Sequence, residues 1–113
     1  MKYLKKAADE AKSFLSPVQY AALVEDVKNL SDWPDGPRIQ LLDIVSIDQF
    51  RELREKGGIY GKINVRVYFA YLPKSRAIYV LGAYKKEAEH QTPRHIVATM
   101  RNRLRRLKDE LGE

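Results

Sequence analysis

From Ile63 to Phe69 the chain reads Ile-Asn-Val-Arg-Val-Tyr-Phe, an alternation of apolar and polar side chains. A period of two marks a β-strand whose faces meet different surroundings. No other segment constrains the fold as strongly, because such a strand requires sheet neighbours and a layer packed on one face. The alternation sets Lys62, Asn64, Arg66 and Tyr68 on the face expected to be wet. The strand is expected over about Lys62–Leu72, with a second over about Ala77–Tyr84. Pro73-Lys74-Ser75-Arg76 joins the two, and Lys85-Lys86 closes the second. A guanidinium held by a strand, with two ammonium groups nearby, suits phosphate: Arg offers a planar fork of donors and Lys a mobile point charge.

Ahead of these strands, Leu4, Ala7, Ala8, Ala11, Phe14 and Leu15 follow helical spacing, so the chain is expected to enter directly into an amphipathic helix over Lys2–Leu15. Ser16-Pro17-Val18-Gln19 starts a second helix: Ser16 can cap, Pro17 suits the first helical position and Gln19 can close a capping box. Tyr20, Leu23, Val24, Val27 and Leu30 form its apolar stripe, and Asp32-Trp33-Pro34-Asp35-Gly36-Pro37 stops it. Ile39–Ile47 has the β-branched content of a strand. Phe50–Arg54 fits either a strand or a helix start, and Gly57-Gly58 is a turn. In the last helix Thr92 is the expected cap, Pro93 the first residue, and Ile96, Met100, Leu104, Leu107 and Leu111 the buried stripe. The expected fold is α+β: an N-terminal helix hairpin packed on a small twisted antiparallel sheet, closed by a C-terminal helix, in one domain over residues 1–113.

Charge narrows the class of partner. The net charge of +6 is uneven: residues 1–59 hold nine Lys/Arg against ten Asp/Glu, and residues 60–113 hold twelve against five. A basic half of this kind is the footprint of a polyanion, either nucleic acid or an acidic protein. With no cysteine there is no disulfide. His90 and His95, five apart with no carboxylate cluster beside them, do not form a zinc motif, so neither metal nor cofactor is expected. No stretch approaches the roughly 20 apolar residues of a membrane span. The N-terminus turns polar too early for a signal peptide, which points to the cytoplasm.

Four segments, in order, resemble the RelE/ParE toxin superfamily of bacterial toxin–antitoxin systems. The likeness is to its HigB-like branch, which includes phage-derived host-inhibition proteins. Phe50-Arg51-Glu52-Leu53-Arg54 is similar to the family strand ending in Glu-Leu-Arg, and Val65-Arg66-Val67-Tyr68-Phe69 to its Arg-Val-x-Tyr strand. Leu81-Gly82-Ala83-Tyr84-Lys85-Lys86 resembles the strand that runs into a lysine pair, and Thr92-Pro93 with the basic helix after it resembles the branch's Thr-Pro segment. The chain departs from the family by lacking an opening strand and a tyrosine after Tyr84.

The resemblance implies a RelE-like fold and a metal-independent endoribonuclease that cuts mRNA in the ribosome. It also implies a cognate antitoxin, for this branch a helix-turn-helix protein. Such chemistry needs a base for the 2′-hydroxyl, cations for the phosphate and an acid for the leaving 5′-oxygen. Arg66, Lys85 and Lys86 are the candidate cations, and His90 the candidate proton carrier. Arg54, Lys62, Tyr68, Tyr84, Arg94, His95 and Arg101 are candidates for RNA contact. Each has a plainer role available. Arg66 can pair across the sheet with Glu52, tyrosines in strands commonly serve packing, and arginines on a helix can form a solvated face. Two rival functions share the fold: a ParE-like inhibitor of DNA gyrase, and a non-catalytic RNA- or protein-binding module.

Overall fold

A computed structural model describes residues 2–33, 39–86 and 92–113. Strand β1 (Lys2–Tyr3) leads into helices α1 (Lys5–Phe14) and α2 (Pro17–Lys28), and α2 runs out through a 3₁₀ turn at Asn29–Asp32. Strands β2 (Asp43–Ser46), β3 (Arg51–Glu55), β4 (Asn64–Leu72) and β5 (Ala77–Lys86) follow, and helix α3 (Arg94–Leu111) ends the chain. The fold is α+β. The sheet is mixed, however, with order β1-β5-β4-β3-β2: β2 to β5 form an antiparallel meander, and β1 lies parallel to β5. The expected all-antiparallel sheet and direct helical start are therefore corrected. Lys2 and Tyr3 pair with Tyr79 and Val80, and Leu4 N–H donates to the Val80 carbonyl at 3.0 Å. Two residues cannot display a period, so sequence alone could not separate this strand from the helix after it.

Local chemistry explains the helix pair. Ser16 Oγ accepts from Gln19 N–H at 3.2 Å while Gln19 Oε1 accepts from Ser16 N–H at 2.9 Å, the reciprocal capping box, with Pro17 at the first position of α2. Ala7, Ala11, Leu15, Leu23 and Val27 meet Leu53, Val65, Val67, Phe69 and Val80 on one face of the sheet. Gly57, Gly58 and Gly61 take positive φ around a 3₁₀ turn before β4, conformations that disfavour a side chain. Of the expected strand over Ile39–Ile47 only Asp43–Ser46 pairs, Ile39–Leu41 forming a 3₁₀ turn instead, and the ambiguous Phe50–Arg54 segment gives the strand Arg51–Glu55.

The opposite face is not wet. Met100, Leu104 and Leu107 of α3 pack on Phe50, Tyr68, Ala70, Leu72, Tyr79 and Leu81, whereas Leu111, expected in the same buried stripe, is exposed at the last residue of the helix. Tyr68 is fully buried, and its ring meets Phe50 edge-on at 6.0 Å. The sheet is thus covered on both sides, and Arg66 is only 6% exposed. The alternation correctly separated two faces, but it could not reveal that the polar-looking face is shared with a helix.

Beyond Val80 the edge of β5 has no strand beside it, and side chains take over. Arg103 Nη1 donates to the Leu81 carbonyl at 2.9 Å, and Ala83 N–H donates to Glu10 Oε1 at 3.2 Å. Arg103 and Glu10 also pair with each other through two 2.8 Å contacts, linking α3 to α1 around the sheet edge. Gly82 lies beneath this junction: a Cβ there would fall 2.3 Å from Met100 Cε and 2.6 Å from Arg103 Nη1.

Two stability measurements follow. In a double-mutant cycle of Glu10→Ala and Arg103→Ala, followed by urea denaturation, the coupling should be about 1–2 kcal/mol; additive losses would mean the pair is incidental. On the other side of the sheet, burial and the neighbouring Asp26 and Asp43 push the Glu55 carboxyl up to about 8. Its folded value lies above the ordinary 4.5, so its share of stability is complete below that value and is lost as pH rises through about 8. Glu55→Gln should raise the melting temperature at pH 9 and change it little at pH 4.

Candidate anion-binding site

The register of the meander assembles a row of charge. Arg54 of β3 lies opposite Arg66 of β4, which lies opposite Tyr84 of β5. Directly opposed Cα atoms in antiparallel strands are about 4.5–5.5 Å apart, so the two guanidinium stems leave adjacent points of a rigid surface. One row toward the next turn, Asn64 faces Lys86; one row the other way, Glu52, Tyr68 and Gly82 line up.

A bulge decides which lysine joins this row. Tyr68 faces Gly82 but Phe69 faces Val80, so Leu81 is an extra residue on β5. The extra residue reverses the parity of the strand. Tyr84 and Lys86 therefore share the α3 side with Tyr79, while Lys85 lies opposite Val65, on the side of α1 and α2, and is exposed. The two lysines do not converge: Lys86, 7% exposed, sits with Arg66, and Lys85 points away.

Glu52 organises the centre. Completely buried, it accepts from Arg54 Nε at 2.9 Å and from the Thr92 hydroxyl, and its Oε1 lies 3.6 Å from Arg66 Nε. Burial pushes its carboxyl up, but the hydrogen bonds from Thr92 and Arg54, with Tyr68 close by, outweigh this and hold it below the usual carboxylate range. The Tyr68 hydroxyl is buried without a hydrogen-bond partner of normal geometry. Burial and the Glu52 charge raise its pKa, which removes it as a proton acceptor. Thr92 was the expected cap of α3, yet the cap position is Pro93 and no side chain caps the helix. The Thr92 hydroxyl goes to Glu52 instead, because a buried carboxylate is the more demanding acceptor.

Arg66 is left with spare capacity. Its Nη1 donates to the Val65 carbonyl at 3.4 Å, a long contact, and among the described residues its Nε makes no hydrogen bond, only the 3.6 Å ion pair with Glu52. A buried guanidinium with unused donors is uncommon and needs a physical reason. Arg54 is about one-third exposed at its side chain, so the row opens to solvent on that side.

The remaining candidates scatter. Lys62 is exposed ahead of β4, and Arg94 and His95 are exposed in the first turn of α3. Arg101 is exposed on the same helix and pairs with Asp48, its Nε and Nη2 at 2.8 and 2.5 Å from Asp48 Oδ2. His90 lies outside the described residues. Glu52 and Thr92 belong to the site although sequence reasoning gave them only a cross-strand partner and a cap. The signal for Glu52 was present: it shares a strand face with Arg54 two residues on. Among the described residues no group of three or more His, Asp or Glu side chains is arranged to hold a metal ion, and no helix is long and apolar enough to cross a membrane.

No family model matches the chain. No curated protein matches it either.

Removing the central charge should loosen the site. Glu52→Gln is expected to cost about 2 kcal/mol in chemical denaturation at pH 7, the scale of a hydrogen bond to a charged group. Because the native carboxyl titrates below 4.5, its contribution is present above that value and is lost as pH falls through the lower folded value. The variant should therefore approach the native protein's stability in acid. An equal deficit at pH 3 and pH 7 would show that ionisation of Glu52 is not what matters.

Proposed function

We propose that this chain is a toxin of the RelE/HigB type: a metal-independent endoribonuclease that cuts mRNA at the ribosome and so inhibits translation. In this reading it works in the cytoplasm and is held inactive by a cognate helix-turn-helix antitoxin. The single observation that carries the proposal is Arg66, a nearly buried guanidinium held 3.6 Å from the Glu52 carboxylate and set directly across from Arg54. The short strand ahead of the helix pair supports the RelE-like arrangement, since the superfamily opens that way.

In the proposed reaction the 2′-hydroxyl oxygen attacks the adjacent phosphorus and the bond to the 5′-oxygen breaks, giving a 2′,3′-cyclic phosphate and a free 5′-hydroxyl. The proton lost from the 2′-hydroxyl is balanced by one delivered to the leaving oxygen. Arg66 and Arg54 meet the charge that builds on the equatorial oxygens, with Lys86 in the adjoining row. Glu52 fixes the arginines beforehand, so little reorganisation accompanies the reaction. His90 is assigned the proton transfer, as a group that titrates near neutrality.

The test is induced expression with mapping of transcript 5′ ends. The native chain should generate discrete new ends within coding regions. Arg66→Lys, which keeps charge but removes the fork, and Lys86→Ala should each lower cleavage about 100-fold while retaining a native circular dichroism spectrum. Lys85→Ala, on the far side of the sheet, should cut at the native level. Growth arrest with intact transcripts, or with DNA breaks instead, would overturn the nuclease reading in favour of a gyrase-directed or non-catalytic protein.

A further inference from the structure

Beside the arginine row is an open cleft of about 390 Å³, between the end of β2 and the N-terminal half of α3. Its volume falls within the range of small-ligand sites. Arg54 and Thr92, both bonded to Glu52, line it together with Val45 and Ile47 from the β2 side and Val97 from α3. Ser46, Asp48 and Arg101 complete the lining. Because β2 is the outermost strand, the cleft lies at a sheet edge, where an extended chain can enter.

The chemistry of this lining differs from that of the row it adjoins. Aliphatic side chains from both a strand and a helix form walls suited to a flat ring. Asp48 is already ion-paired with Arg101, so the charged part of a nucleotide belongs with Arg54 and Arg66 and its uncharged part against the aliphatic walls. Arg101 contacts Asp48 through one oxygen only, with Nε and Nη2 both directed at Oδ2. Among the described residues no side chain donates to Oδ1. Asp48 is held below the ordinary carboxylate range, chiefly by the hydrogen bond from Arg101 and also by the Gln49 backbone, so its carboxylate is an acceptor only.

We infer that this cleft is a nucleobase subsite, with Asp48 Oδ1 accepting a hydrogen bond from the exocyclic amino group of adenine, cytosine or guanine and thereby disfavouring uracil. Arg101 is a positioning residue: it fixes the carboxylate and leaves one oxygen for the base. The inference deepens the ribonuclease reading, because it assigns the base next to the scissile phosphate, but nucleotide binding tests it separately.

The experiment is titration of the full chain with 5′-AMP, CMP, GMP and UMP, followed by amide chemical shifts, beside transcript mapping for the native chain and Asp48→Asn. Asp48 is partly exposed at the surface, and Asn keeps its size, so the variant should fold. The three amino-bearing nucleotides should shift the amides around Asp48, Val97 and Arg101 and bind about tenfold more tightly than UMP. Asp48→Asn should erase that difference and relax the base frequency at one fixed position beside the cleavage sites. Equal binding of all four nucleotides, shifts elsewhere, or a preference surviving in Asp48→Asn would overturn the subsite. If the nucleotide preference holds while no transcript is cut, the subsite stands and the nuclease reading falls. If transcripts are cut with a base profile indifferent to Asp48, the nuclease reading stands and the subsite falls.

Discussion

The ion pair between Glu10 and Arg103 is the constraint on which the rest of the architecture leans. Strand β1 contributes only Lys2 and Tyr3, so most of the β5 edge would otherwise present unpaired backbone groups. Arg103 takes the Leu81 carbonyl, Glu10 takes the Ala83 N–H, and each side chain neutralises the other. A helix from each side of the sheet is thereby tied to the same two residues of one strand. Gly82 leaves room for α3 at this depth, since a Cβ there would displace the ends of the Met100 and Arg103 side chains. Once α3 is down, Tyr68 and Leu81 are excluded from water, and Arg66, on the same face of β4 as Tyr68, is itself nearly buried.

That burial changes the electrostatics of the neighbouring row. Two arginines side by side would repel in the open and be screened by salt. With the carboxylate of Glu52 between them and the Thr92 hydroxyl bonded to it, they form a fixed arrangement in which, among the described residues, only part of the donor capacity is used. Pairing with Glu52 and readiness for an anion are therefore compatible roles of Arg66. The first satisfies one side of the guanidinium and sets its orientation, and the second draws on the donors that remain. A sheet is well suited to this task because its opposed Cα positions cannot drift apart.

On the proposed reading, phosphate and base are handled by chemically opposite surfaces that share Arg54 and Thr92. The row is cationic and anchored on strands. The cleft beside it has aliphatic walls at Val45, Ile47 and Val97 and an Asp48–Arg101 ion pair at its rim. A site divided in this way orients a nucleotide without requiring many contacts. The rest of the positive surface, including Arg94, Arg105 and Arg106 on the exposed side of α3, is available for long-range attraction to a polyanion.

Much of this was written locally. The Ser16–Gln19 capping box, the apolar stripes of α2 and α3, and the alternation through Val65-Arg66-Val67-Tyr68 fix their own elements, because caps and periodicity act within a few residues. The sequence by itself thus determined three helices, the β4–β5 hairpin and a basic C-terminal half. Only the tertiary structure decided which cations act together. One bulged residue, Leu81, shifts the phase of β5 so that Lys86 and not Lys85 joins Arg66. Pairing with Tyr79 and Val80 makes a strand of Lys2 and Tyr3, and docking of α3 dries a face that reads as polar. These outcomes depend on register and on contacts between residues far apart in sequence, and no short-range pattern encodes either one.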